Sequence, residues 1–234
     1  MAVKPPRWYF SLRSPYSWLA FRELTERYPD VAARIEWRPY WEPDPENERA
    51  LSGEGTQLPY VPMSKEKHLY ILQDVKRLTR ARGLTIAWPI DTAPRWEVSH
   101  LPYLLAADEG KGVAYVREVY RVRWELGRDV SDPATIADVA VALGLDPDRL
   151  AGAAEDRETR ERGLTALREV ERDGVFGVPF FIHRRDKFWG LDRLADFAAT
   201  VRAGGPPAAE PAPASAPPPA LAPAGDAGHA GGCG

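Results

Sequence analysis

The chain has 234 residues, eight of them tryptophan, which is length and aromatic content enough for a packed core. A net charge of -3 with interspersed signs gives no basic footprint for nucleic acid, and no apolar run approaches the ~20 residues of a membrane span. The start Met1-Ala2-Val3-Lys4-Pro5-Pro6 lacks a secretory apolar stretch, so a cytoplasmic location is expected, and the single cysteine, Cys233, leaves no internal disulfide and no cysteine metal cluster.

In chain order, Trp8, Phe10 and Leu12 alternate with Arg7, Tyr9 and Ser11 and predict a strand that is at least half buried. Ser14 stands where a helix cap belongs and Pro15 at the first helical position; Trp18, Phe21, Leu24 and Tyr28 then keep a helical spacing up to Pro29. The Ser14 hydroxyl therefore lies at the positive end of a helix, where an anion is stabilised. Capping alone is the simpler reading of this serine.

A second strand is expected over Arg34-Ile35-Glu36-Trp37-Arg38-Pro39-Tyr40, and a strand, helix and strand in that order predict parallel pairing. From Trp41 to about Pro62 the chain has no period and reads as a long irregular loop. Helical patterns follow. Leu69, Leu72, Val75 and Leu78 lie between Ser64 and a stop at Gly83, and two more helices centre on Leu101 to Leu105 and on Val116 to Trp124. Asp132-Pro133 and Asp146-Pro147 each combine a cap with proline at the first position, and a last helix carries Leu164, Leu167 and Val170 to Gly174.

So long a run of helices predicts an inserted all-helical subdomain. Val178 to His183 and Lys187 to Trp189 then form a hairpin, and Asp192 opens a final helix through Leu194, Phe197, Ala198 and Val201. Past Gly204 the composition of Ala, Pro and Gly predicts a disordered tail. The histidines His68, His100, His183 and His229 show no ligand spacing and read as packing or surface residues, so no metal is expected.

This order of elements resembles the DsbA branch of the thioredoxin-like fold. More narrowly, Ser14-Pro15-Tyr16-Ser17, the stretch Gly174-Val175-Phe176-Gly177-Val178-Pro179-Phe180-Phe181 and Phe188-Trp189-Gly190-Leu191-Asp192-Arg193-Leu194 resemble motifs of the 2-hydroxychromene-2-carboxylate isomerases and the related kappa-class glutathione transferases. Gly127-Arg128-Asp129-Val130-Ser131-Asp132 is similar to a segment of that family's helical domain, and the resemblance covers about residues 7 to 202. It implies an α/β thioredoxin-like fold, β-α-β then β-β-α, made of residues 1–40 and 175–203, with an inserted helical subdomain over 41–174 and the tail at 204–234.

Thiol oxidoreductases of this fold carry cysteines at the positions of Ser14 and Ser17, and a hydroxyl cannot form a mixed disulfide. The resemblance therefore implies an isomerase in which Ser14 stabilises the thiolate of glutathione, or of another small thiol, used as a cofactor on a conjugated aromatic or polyene acid. A kappa-like transferase and a non-catalytic binding module are the alternatives. The family pattern places a cis bond at Val178-Pro179, with the Val178 backbone on the cysteinyl part of glutathione, and gives Leu191 and Asp192 the γ-glutamyl end. Leu191 replaces the family's usual Gln or Ser, so only its backbone can serve, and Asp192 has a rival role as a helix cap. Tyr16, Trp41, Trp88, Trp96 and Trp124 are candidates to line the substrate groove, with Arg95 or Lys65 to meet a carboxylate. A homodimer is expected from the resemblance, and the other partner is a small molecule, not a nucleic acid or a membrane.

Overall fold

The computed structural model describes residues 4–59, 64–92 and 94–205. Residues 206–234, with His229 and Cys233, lie outside the described residues, so the expectation of a disordered tail falls there.

Strand β1 (Arg7–Phe10) leads into α1 (Pro15–Arg27), a short α2 (Pro29–Ala32) and β2 (Glu36–Pro39). Helices α3 (Pro45–Gly53), α4 (Lys65–Ala81), α5 (Glu97–Asp108), α6 (Gly112–Tyr120), α7 (Pro133–Ala142), α8 (Pro147–Ala151) and α9 (Arg157–Arg172) follow, and α6 runs on into a π turn, Arg121–Glu125. The hairpin β3 (Phe180–His183) and β4 (Asp186–Trp189), a 3₁₀ turn (Leu191–Arg193) and α10 (Leu194–Ala203) close the fold. The sheet order is β2-β1-β3-β4. Strand β1 is parallel to β2, as the strand, helix and strand require, and antiparallel to β3.

The caps act as their sequence suggests. The side chains of Ser14, Asp132 and Asp146 each accept a backbone N–H in the first turn of the helix that follows, and Ser64 and Asp156, not read as caps from the sequence, do the same. Gly83, Gly144 and Gly174 take positive φ at the stops. One expectation fails: the stretch from Trp41 is not an irregular loop throughout. Asp44 caps α3, with Pro45 at its first position. Only Asn47 and Leu51 of this helix are buried, so it has no apolar period to read. In α4 the apolar stripe is largely uncovered: Leu69 is exposed, and Val75 and Thr79 alone are fully buried.

Central strand β1 is buried on both faces. Trp8 stacks on Phe181, which stacks on Phe197 of α10, while Phe10 meets Tyr103 of α5 edge-on. Trp18 of α1 stacks on Trp124, and Phe21 packs on Tyr120, so the inserted helices share one core with the sheet. Arg7 and Tyr9 of β1 share a partner, whereas the buried Trp8 indole N–H has none among the described residues. Arg7 meets Asp173 at 2.8 Å, and the Tyr9 hydroxyl donates to the same carboxylate at 2.7 Å. Asp173→Ala removes the carboxylate from a buried guanidinium and leaves the Tyr9 hydroxyl only the Glu169 carbonyl at 3.4 Å, and is expected to cost about 3 kcal/mol or more, against about 1 kcal/mol for Tyr9→Phe. Urea midpoints at neutral pH check both; equal losses would refute the shared-carboxylate account.

Candidate functional site

Beyond Phe10 the backbone of β1 leaves the ladder while still in the interior, and its polar groups need other partners. The Phe10 carbonyl accepts the Tyr40 N–H, and the Ser11 N–H donates to the Ser17 hydroxyl at 3.3 Å. The Ser11 carbonyl accepts both the Ser14 N–H and the Tyr120 hydroxyl, each at 3.1 Å. The Leu12 N–H donates to His100 Nε2 at 2.9 Å. The chain is thus held in a fixed turn when it reaches Ser14.

At Ser14 the hydroxyl oxygen accepts the Ser17 N–H at 3.2 Å, and the carbonyl accepts the Trp18 N–H. Accepting leaves the hydroxyl hydrogen free to be donated outward, since a hydroxyl both donates and accepts. Pro15 has no N–H, so Tyr16 carries the first amide donor of α1. Ser14 is half-buried, whereas Ser17 is fully buried and committed to Ser11. The two serines therefore differ: Ser17 locks the turn and Ser14 faces out from it.

The other residues singled out from the sequence reach the same end of the sheet. The pairing of Tyr9 with Phe180 carries Val178-Pro179 toward the end of β1 that leads to Ser14, and the Val178-Pro179 bond is cis. The Pro179 carbonyl accepts the Gly190 N–H at 3.0 Å, and the 3₁₀ turn packs against α1. Leu191 is buried as a whole and packs into the core. Asp192 caps neither the 3₁₀ turn nor α10; its carboxylate is exposed and meets only Arg193, at 3.7 Å.

The groove residues divide. Tyr16 is half-buried, and its hydroxyl donates to Asp74 of α4 at 2.8 Å; burial first, and then that hydrogen bond, push its pKa up. Trp88 is partly exposed and meets Trp124 edge-on. Trp41 and Trp124 require correction, because both indoles fill the interior and neither faces an open groove: Trp41 stacks on His100 and Trp124 on Trp18. Arg95 is engaged with Asp44, Glu155 and the Ala154 carbonyl, while Lys65 is exposed at the start of α4.

Trp96 lies between two guanidinium groups, Arg13 at 5.4 Å from its ring centre and Arg123 at 5.0 Å. Arg13 also pairs with Glu42, and Arg123, in the π turn, makes a two-pronged pair with Asp91. A cavity of about 560 Å³ opens beside this group between Glu42–Glu46 and Pro94–Glu97, a size that suits a small aromatic ligand. Among the described residues no group of three or more His, Cys, Asp or Glu could hold a metal ion, and no helix is long and apolar enough to cross a membrane.

Sequence reading missed His100, Ser17 as a lock, and the π turn. His100 and Leu12 are 88 residues apart, and no local pattern marks that contact. Burial, together with the charges of Arg13 and Arg123, lowers the His100 pKa to about 3.

The family described as DSBA-like thioredoxin domain matches residues 7–202. The 2-hydroxychromene-2-carboxylate isomerase of Sphingobium xenophagum is 29% identical over 194 residues, covering 80% of this chain and 92% of that protein. The enzyme of the same name from Pseudomonas putida is 24% identical over 186 residues, covering 80% and 88%. Among solved structures, a 2-hydroxychromene-2-carboxylate isomerase superposes with a TM-score of 0.66 at 22% identity, over 83% of this chain and 93% of that one. The cytosolic disulfide reductase DsbM from Pseudomonas aeruginosa with GSH gives 0.56 at 16% identity, over 85% and 97%.

Ser17→Ala strands the buried Ser11 N–H and is expected to cost about 1–3 kcal/mol, whereas Asp192→Ala, which removes no cap, stays within about 0.5 kcal/mol of the parent in urea unfolding. Acid is a second probe. His100 is neutral when folded and takes up a proton near its ordinary pKa when unfolded, so stability falls as pH drops below about 6.5, toward about 3, by up to ~1.4 kcal/mol per unit. A His100→Gln chain lacks that share of the slope between about pH 6 and pH 5, above the range where carboxylates titrate.

Proposed function

The chain belongs to the DsbA-like thioredoxin family, and from that premise we propose that it is a thiol-dependent cis–trans isomerase of a conjugated aromatic or polyene carboxylic acid, with glutathione or a similar small thiol as cofactor. The observation that carries the reading is the Ser14 corner: a half-buried hydroxyl at the N-terminus of α1, its oxygen already accepting the Ser17 N–H and its hydrogen free, where thiol oxidoreductases of this fold hold a cysteine. The names of the two relatives support the reaction class.

The residues present fit a tripeptide thiol. Ser14 O–H and the Tyr16 N–H, with the helix dipole behind them, favour a thiolate over a thiol. An unassisted thiol is only a few per cent ionised near neutrality, and each unit by which its pKa falls is worth ~1.4 kcal/mol. The Val178 backbone offers strand-like hydrogen bonds beside the end of β1. Asp192, exposed and paired only loosely with Arg193, and Leu191 are the residues that the family pattern gives to the γ-glutamyl end, with the Asp192 carboxylate for its α-ammonium group. When bound, glutathione supplies a sulfur nucleophile that adds to a conjugated double bond and departs again, so that the bond is single long enough to rotate. Ser14 keeps its proton throughout: its O–H would donate to the thiolate before addition and again to the thiolate that leaves with the electron pair of the breaking C–S bond. The cavity beside Trp96 is the candidate for the conjugated substrate; its rim carries Glu42, Asp44 and Glu46, and Arg13 and Arg123 are already paired with Glu42 and Asp91, so a substrate carboxylate there would have to compete for those guanidinium groups.

The test uses the full chain carrying Cys233→Ser, so that every thiol present is an added one. With 2-hydroxychromene-2-carboxylate as probe, turnover is expected to saturate with glutathione, and Ser14→Ala is expected to lower it by at least tenfold while circular dichroism stays unchanged. Activity indifferent to every added thiol, or a Ser14→Ala chain as fast as its parent, overturns the proposal. A product with the mass of thiol plus substrate marks a transferase instead.

A further inference from the structure

His100 is a fully buried titratable group that the chemistry above does not use. Its Nδ1 lies 2.8 Å from the Trp96 carbonyl, which can only accept, so Nδ1 carries the hydrogen. Its Nε2 lies 2.9 Å from the Leu12 N–H, which can only donate, so Nε2 carries the lone pair. Two backbone groups from distant parts of the chain therefore fix one tautomer. The Ser11 hydroxyl also reaches Nε2, at 3.3 Å, and the Ser99 hydroxyl reaches Nδ1, at 3.2 Å. Trp41 stacks on the ring, 5.3 Å between centres.

We propose that His100 is a positioning residue for the Ser14 corner: a neutral imidazole, locked in the Nδ1–H tautomer, whose Nε2 holds the Leu12 amide and so sets where Ser14 presents its hydroxyl. Only Arg13 separates Leu12 from Ser14, and the turn has few other anchors. The Ser14 N–H is spent on Ser11, whose carbonyl is also held by Tyr120. Both side chains that hold this turn's backbone from outside α1, His100 of α5 and Tyr120 of α6, come from the inserted helices, and the Arg13 side chain adds an ion pair to Glu42, so the insertion grips the loop that carries the reactive hydroxyl. His100 is not itself an acid or base in the reaction, because both ring nitrogens are engaged and the ring has no path to solvent. The charged groups that act on it are Arg13 of the turn and Arg123 of the π turn, both positive, and both oppose its protonation. A protonated ring would set an N–H against the Leu12 N–H and release the corner.

In its catalytic part this inference rests on the thiolate-cradle reading, and its test separates the two. Imidazole nitrogen spectra of the full chain are expected to show His100 with hydrogen on Nδ1 and none on Nε2, unchanged from about pH 8 to about pH 5. An Nε2–H tautomer, or titration near the ordinary value of about 6.5, overturns the inference whatever the thiol does. The variants add the functional arm. His100→Asn keeps a partner for the Trp96 carbonyl but is too short to reach the Leu12 N–H. His100→Gln carries an oxygen near the place of Nε2. His100→Asn is expected to raise the KM for glutathione roughly tenfold and to move the acid limb of the rate profile up by about one unit, and His100→Gln to restore most of both. A folded His100→Asn chain with the parent's thiol affinity and pH profile overturns the inference. If His100→Asn does not fold, the spectra and His100→Gln decide: the parent's acid limb in His100→Gln supports the clasp, and a limb shifted by about one unit in a folded chain overturns it. A parent chain that binds no glutathione sinks the cradle alone, since the spectra still decide the clasp.

Discussion

The structure depends on how the backbone of β1 is satisfied once it leaves the sheet. Central strands end inside proteins, and their last amides and carbonyls cost free energy unless something meets them. Here the partners of Ser11 and Leu12 are side chains from three places: Ser17 on α1, His100 on α5 and Tyr120 on α6. The turn before Ser14 is therefore a junction between the sheet, its first helix and the inserted helices. The shared core, in which Trp18 stacks on Trp124 and Phe10 meets Tyr103, follows the same junction outward.

That junction also explains why two serines at redox positions are not equivalent. In a disulfide enzyme both positions react in turn. Ser17 is buried and spent on the Ser11 N–H, so its hydroxyl acts on the fold, while the half-buried Ser14 accepts the Ser17 N–H as the helix cap. Similarity to the DsbM structure at 16% identity speaks for the fold alone.

How much was legible in the sequence follows from how local each signal is. Caps, proline at first positions and glycine stops are contained within a few residues, and they placed α1, α4, α7, α8 and the hairpin correctly. Helix α3 had the same Asp-Pro signal at Asp44-Pro45 but no apolar period to support it, because only two of its residues are buried. The order of motifs around Ser14, Val178-Pro179 and Asp192 pointed to residues that the fold brings to one end of the sheet. Aromatic residues were harder: nothing in the sequence distinguishes Trp41 and Trp124, which fill the core, from Trp88, which is partly exposed. His100 was illegible as more than packing because its partner is a main-chain amide, which leaves no residue type to recognise.

Helix α4 gives the site an asymmetry. It has 17 residues, yet only Val75 and Thr79 are fully buried, and the Tyr16–Asp74 hydrogen bond ties it to the first turn of α1. A helix with so little apolar surface to lose opens at a small fraction of the free energy that unfolds the whole chain. The wall beside Ser14 is thus a thin cooperative unit set against a rigid one. The Tyr16–Asp74 hydrogen bond is the tie that an opening of α4 would break, whereas Ser17 and His100 belong to the buried core behind it. The hydroxyl of Ser14 is set by the rigid side of this boundary, and the least buried helix borders it through Tyr16.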